Sequence, residues 1–146
     1  MAEDFPEIIR GALDTDADVL DAIANGIVAI WEAVVIVAPA AGETLPRVAT
    51  TTTVGDPAKY GVCVDFTGAS VVAGDHISVC VKGRTKVKAV AAIALAALIE
   101  CAATAGKVQT AALAVIGDVD DILGMALTAT AAADNDLFVA DIGRFG

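Results

Sequence analysis

Residues 78–110 read SVCVKGRTKVKAVAAIALAALIECAATAGKVQT. The first half places Lys82, Arg84, Lys86 and Lys88 at every second position. In a strand that spacing lines four cations along one face and sets Val81, Gly83, Thr85 and Val87 on the other. The second half is apolar and alanine-rich, and it ends at Gly106-Lys107. Alanine and leucine favour helix by propensity. The hairpin-like ending Gly106-Lys107-Val108-Gln109-Thr110 instead suits short turns over Ala91–Ala96 followed by a strand over Ala97–Ala103.

Outward from this stretch the strand signals continue. His76 to Val90 reads as one long strand, or a bent pair broken at Gly83, because glycine inside a strand marks a bulge or a close backbone approach. Gly74-Asp75 forms the turn before it. Tyr60 to Phe66 alternates, with Tyr60, Val62, Val64 and Phe66 on one face. Arg47 to Val54 is a threonine-rich strand between Pro46 and Gly55-Asp56-Pro57, and Ile27 to Val37 is a β-branched run broken by Pro39 and Gly42. Ile122 to Thr130 and Leu137 to Ile142 make two last strands around Asp134-Asn135-Asp136. Turn signals at this spacing predict an all-β fold over residues 25–146, a barrel (a small β-barrel or β-tulip-like domain) or a sandwich rather than alternating βαβ units.

Residues 1–24 differ. Asp14, Asp16, Asp18 and Asp21 crowd a segment that also holds Glu3, Asp4 and Glu7. Val19, Leu20 and Ile23 follow this acidic start, and Asn25-Gly26 supplies a stop. The pattern predicts an N-terminal arm carrying one short helix with acids at its positive end.

Charge and composition bound the function. The 146 residues carry 19 acids and 9 bases, a formal charge of -10. Such a field repels nucleic acid and anionic membranes. The longest uninterrupted apolar run, residues 89–99, is too short to span a bilayer, which takes about 20 residues. The acidic first ten residues, broken by Pro6, carry no signal-peptide pattern, so a soluble protein is expected. Many aspartates, few lysines and abundant alanine resemble proteins of salt-loving archaea and their viruses. At about 1 M salt the Debye length falls to about 3 Å and self-repulsion largely vanishes.

Catalytic chemistry has little to build on. The one histidine, His76, follows Asp75, but no positioned serine or G-x-S-x-G accompanies it, and it reads as a polar strand start. Cys63, Cys80 and Cys101 form no CxxC pair and predict buried free thiols, although a cross-strand pair of Cys63 with Cys80 is compatible with their parity. Residues 118–121 and 134–136 are oxygen-rich turns without a calcium loop. No catalytic, cofactor or metal site is expected. The cations of residues 82–88, four of nine bases within seven positions, leave two readings open. They form a solvated face paired with neighbouring aspartates, or a surface that docks onto an acidic protein, including another copy. Nucleic-acid binding lacks interleaved aromatics.

From Tyr60 onward the order of signals resembles the capsid cement, or head decoration, proteins of tailed viruses. The pieces are GVCVDF at 61–66, AGDHISVCVKGRTKVKA at 73–89, ALIECAATAGKVQTA at 97–111 and ILGMALTATAAADNDLFVADI at 122–142. One departure is Leu95-Ala96, where such proteins carry Gly-Asp. The resemblance implies a small β-barrel that assembles as a trimer and clamps neighbouring major capsid protein subunits on the outer surface of an HK97-like shell. It implies no reaction, and a protein made in the host cytoplasm and carried on the virion. With the composition it suggests a haloarchaeal tailed virus. The expected contacts are the cations Lys82, Arg84, Lys86 and Lys88 and the arm acids Asp14, Asp16, Asp18 and Asp21. Other virion β-domains (a tail tube or fibre base) and a halophilic ligand-binding barrel are the alternatives. The single histidine, tyrosine and tryptophan speak against the last.

Overall fold

His76–Ala89 is one uninterrupted strand of 14 residues, and the other strands are arranged around it. The structure is a computed structural model describing residues 17–64, 70–112, 121–130 and 136–143. In chain order the first strands are β1 (Asp18–Ala24), β2 (Val28–Ala29), β3 (Ala33–Val37), β4 (Arg47–Ala49), β5 (Lys59–Cys63) and β6 (Ser70–Val71). Then come β7 (His76–Ala89), β8 (Leu98–Cys101), β9 (Val108–Thr110), β10 (Gly124–Ala126) and β11 (Asp136–Ile142). The fold is all-β, as expected.

Nine strands form one sheet in the order β1-β4-β3-β5-β7-β11-β10-β8-β9, and further pairings β1–β7 and β7–β9 close it twice. The result is two five-membered rings sharing β7. The first ring (β1, β4, β3, β5) uses residues 76–82 of β7, and the second (β11, β10, β8, β9) uses residues 83–89. Ring closure removes most sheet edges, the usual solution for small antiparallel domains.

Each ring has its own filling. Ala22, Ala24, Val34, Val48, Cys63, Ile77 and Val79 come from all five strands of the first ring and form one cluster with Val28. A larger cluster combines Val87, Ala89, Ile99, Cys101, Val108, Ala126, Phe138, Ala140 and Ile142 of the second ring with Trp31, Ala33, Val35, Val62, Val64 and Cys80. The outer wall of the first ring thus packs on the interior of the second. The shared strand has to change faces to serve both. Cys80 and Val87, seven residues apart and so of opposite parity, belong to the same cluster. Gly83 lies between them at φ +112, and a Cβ there would stand 2.8 Å from the Cα of Ala17. A left-handed backbone and a close crossing both demand glycine at this joint.

Several expectations need correction. Residues Asp18–Ala24 form a strand, not a helix. Val19 through Ile23 pair in unbroken register with Cys80 through His76, and that ladder overrides the acid-rich start. Residues 1–16, with Asp14 and Asp16, lie outside the described residues, as does most of the 118–121 turn. The run from Ile27 to Val37 is two strands, split where Trp31 takes φ 69. The threonine-rich strand stops at Ala49 rather than Val54. There Thr51 Oγ1 donates to Asp56 (2.7 Å) and Thr53 N–H donates to Thr51 Oγ1 (3.1 Å), so local bonds replace the ladder. Cys63 and Cys80 cannot pair, because they belong to different clusters on opposite faces of the sheet. All three cysteines are buried and free. The alanine-rich stretch follows the predicted course, with turns and then β8 and β9 as an antiparallel pair.

Candidate docking face along the shared strand

The second half of β7 alternates as its sequence requires. Thr85, Val87 and Ala89 are fully buried, while Lys82 and Arg84 are exposed and Lys86 and Lys88 half-buried. In the antiparallel ladder with β11, Arg84 lies opposite Asp141, Lys86 opposite Val139 and Lys88 opposite Leu137. Opposed residues share a face. The outward surface therefore sets Arg84 beside the buried Asp141 and the two lysines beside aliphatic side chains, of which Leu137 is exposed.

Lys86 and Lys88 each reach a partner across the seam. Lys88 Nζ stands 3.8 Å from Glu32 Oε2. Lys86 Nζ sits 5.9 Å from the centroid of the Trp31 ring, within cation–π range. Both partners belong to the turn between β2 and β3, and that turn is firmly held. Trp31 N–H donates to the Cys63 carbonyl (2.7 Å), and its own carbonyl accepts the Lys88 N–H (3.0 Å). Glu32 Oε1 accepts the Ala29 N–H (2.8 Å). The Glu32 side chain also lies over Gly106, where a Cβ would approach it to 2.6 Å. The cations at positions 86 and 88 thereby tie the second ring to the first across the seam. Sequence reasoning missed Trp31 and Glu32, because nothing in a β-branched run announces a left-handed tryptophan.

The predicted acids divide. Asp18 comes opposite Lys82, whereas Asp21 comes opposite Ser78, away from the remaining cations. Other polar groups are accommodated locally. Thr85 Oγ1 donates to the Lys86 carbonyl (3.1 Å), and Gln109 Nε2 donates to Glu100 Oε2 (2.8 Å). The Cys101 thiol is pushed up to about 11 by burial, with the negative charge of Asp56 adding to the effect. Outside the seam, Arg47 binds Glu43 through two guanidinium contacts, and this hydrogen bonding, with that of the Ala40 N–H, lowers the Glu43 carboxyl to about 2. His76 is an exposed residue at the start of β7. Among the described residues no three His, Cys, Asp or Glu side chains are grouped to hold a metal ion.

No family model matches the sequence, and no curated protein matches it. Among solved structures the chain is similar to the head fiber gp8.5 N base of bacteriophage phi29, with a TM-score of 0.61 over 88% of this chain and 96% of that one. At 15% sequence identity the two share a fold.

Proposed function

We propose that this chain is a structural protein of a tailed-virus particle that seats on the outer face of an HK97-like capsid and stabilises the shell. The observation that carries the reading is the fold likeness to a head-fiber base, which spans nearly all of that domain. The sequence resemblance to capsid cement proteins points the same way. In this reading the chain acts as a homo-oligomer, a trimer, and transforms no substrate. It binds the assembled, expanded shell and not its free subunits, so mass action favours that state. Three contacts per trimer convert modest individual affinities into strong retention. Lys82 and Arg84 are the cations best exposed for contact with the shell or with a neighbouring copy. The acidic surface suits a salt-rich host, where screening permits close assembly of copies that each carry -10.

The test is co-sedimentation of the purified protein with expanded shells, followed by image reconstruction. Density repeating over the outer surface with threefold features is the expected result. Protein left in the supernatant, or density confined to the tail, rejects the reading. A fibre base is the second reading, favoured by the same likeness to a head-fiber base. It predicts density at the foot of projecting fibres rather than an even coat. Native mass adds a further check: the trimer should persist at about 1 M salt and weaken at low salt, where repulsion is unscreened.

A further inference from the structure

Strand β1 is paired along only one edge for most of its length. It runs against β7 from Asp18 to Ile23, whereas β4 reaches its other edge only at Ile23 and Ala24. Backbone groups of a strand alternate between its two edges. Ala24 N–H donates to the Asp75 carbonyl at the end of β7 (2.9 Å), and Ile23 N–H donates the other way, to Pro46 (2.9 Å). The same alternation turns the N–H and C=O of Val19 and Asp21 toward the β4 side, short of where β4 begins. No described residue bonds to them there. The four residues Asp18, Val19, Leu20 and Asp21 are all exposed, with Val19 at 39% and Leu20 at 48%.

We propose that this open edge of β1 receives an added strand from another protein, and that the added strand is basic, with Lys or Arg alternating with aliphatic residues. Two N–H and two C=O groups without a partner among the described residues, beside exposed aliphatic side chains, are what strand addition requires. The surrounding chemistry selects the occupant. Asp18 and Asp21 flank the edge, and the ladder is bulged between Asp18 and Val19. Charges and a bulge at an edge discourage indiscriminate strand pairing, so an occupant has to answer them with opposite charge. A second copy in the register that pairs Asp21 with Asp21 would set aspartate against aspartate, and in any register it would bring another chain of charge -10 to the edge, which is unfavourable. The chain's own basic run, residues 82–88, is already built into the sheet. A cationic strand from a different protein satisfies the main chain and brings a counter-charge to Asp21, which lies opposite Ser78. Any extended basic segment qualifies, whether or not it belongs to a viral shell, so a negative shell-binding result leaves this edge to be tested separately.

The probe is a fluorescently labelled octapeptide of alternating valine and lysine, titrated against the full chain and followed by anisotropy. The control peptide keeps its four lysines but carries proline in place of the two central valines. The alternating peptide should bind about tenfold tighter or more, because only it can complete the main-chain bonds. Asp21→Pro removes an N–H that faces the open side, so it should abolish this preference while thermal unfolding stays cooperative. Asp21→Lys keeps the N–H and should weaken binding through charge alone, which covers the case of a proline variant that does not fold. Equal binding of the two peptides overturns the proposal, as does wild-type affinity in both variants. Binding that emerges only after removal of residues 1–16 would give the edge to the chain's own start and also overturn it. So would self-association that Asp21→Pro abolishes, which would give the edge to a second copy.

Discussion

The two halves of β7 use one strand in two ways. In the first half both faces are consumed, since Val79 fills the small cluster and its neighbour Cys80 fills the large one. In the second half only the odd positions are buried, and the even ones are cations held at the surface or across the seam. Ile77-Ser78-Val79-Cys80-Val81 carries no charge, as two-sided burial demands, whereas Arg84-Thr85-Lys86-Val87-Lys88 alternates, as one-sided burial demands. The difference teaches that a shared strand needs a joint where the buried face changes, and Gly83 is that joint.

The joint is therefore the place where the contrast breaks most easily. Gly83→Val would force a β-branched residue into φ +112 and drive its Cβ against the backbone at Ala17. The expected loss is about 3 kcal/mol or more, combining backbone strain with displacement of β1. Urea unfolding measures it. A neutral result would mean that the halves do not require a left-handed connection.

Core truncations on either side sharpen the same contrast. Val79→Ala and Val87→Ala each remove two methyl groups from a fully buried position, at a cost of about 2 kcal/mol apiece. Since the two sides sit in different clusters, the double variant should be additive within about 0.5 kcal/mol. Val87 lies opposite Phe138 within one cluster, so Val87→Ala combined with Phe138→Leu should depart from additivity by about 0.5 kcal/mol or more. Equal coupling in both pairs would erase the distinction between the two cores.

Much of this was legible in the sequence, and the unread part has a physical cause. The alternation at residues 82–88, the turn at Gly74-Asp75 and the hairpin ending at Thr110 are local signals, and the structure follows them. The strand at Asp18–Ala24 has the sequence look of a helix because clustered aspartates and Asn25-Gly26 imitate helix ends, while the ladder that decides it comes from β7, some 60 residues away in sequence. Closure into two rings, the exchange of faces at Gly83 and the partners of Lys86 and Lys88 all depend on non-local register. Of the four cations expected to make contacts, Lys82 and Arg84 emerge exposed, and the reason Lys86 and Lys88 do not is Trp31 and Glu32.

Cys101 offers a pH-dependent test of the second ring's core. Its thiol is raised from the ordinary 9.0 to about 11, mainly by burial, so the folded state favours the protonated form. Stability from this source is complete below about pH 9 and is lost as pH rises through 11, amounting to about 3 kcal/mol. Cys101→Ala should flatten that alkaline decline while lowering stability at pH 7. A decline of the same depth in the variant would assign it to other groups.

The smallest effects lie on the cations, and their order is itself informative. Lys88→Ala leaves the half-buried Glu32 without its ion pair and should cost about 0.5–1 kcal/mol at low salt, less as salt screens the pair. Lys86→Ala should cost about 0.5–1 kcal/mol and shift the emission of the lone tryptophan, since the cation sits over its ring. Lys82→Ser, at the exposed end, should change stability by less than about 0.5 kcal/mol. If the seam is what positions 86 and 88 serve, their substitution should loosen the rings without altering occupancy on shells, and Lys82→Ser with Arg84→Ser should do the reverse. A stability loss spread evenly over all four positions would instead mean that the row acts as one solvated face, with no division of labour between its two ends.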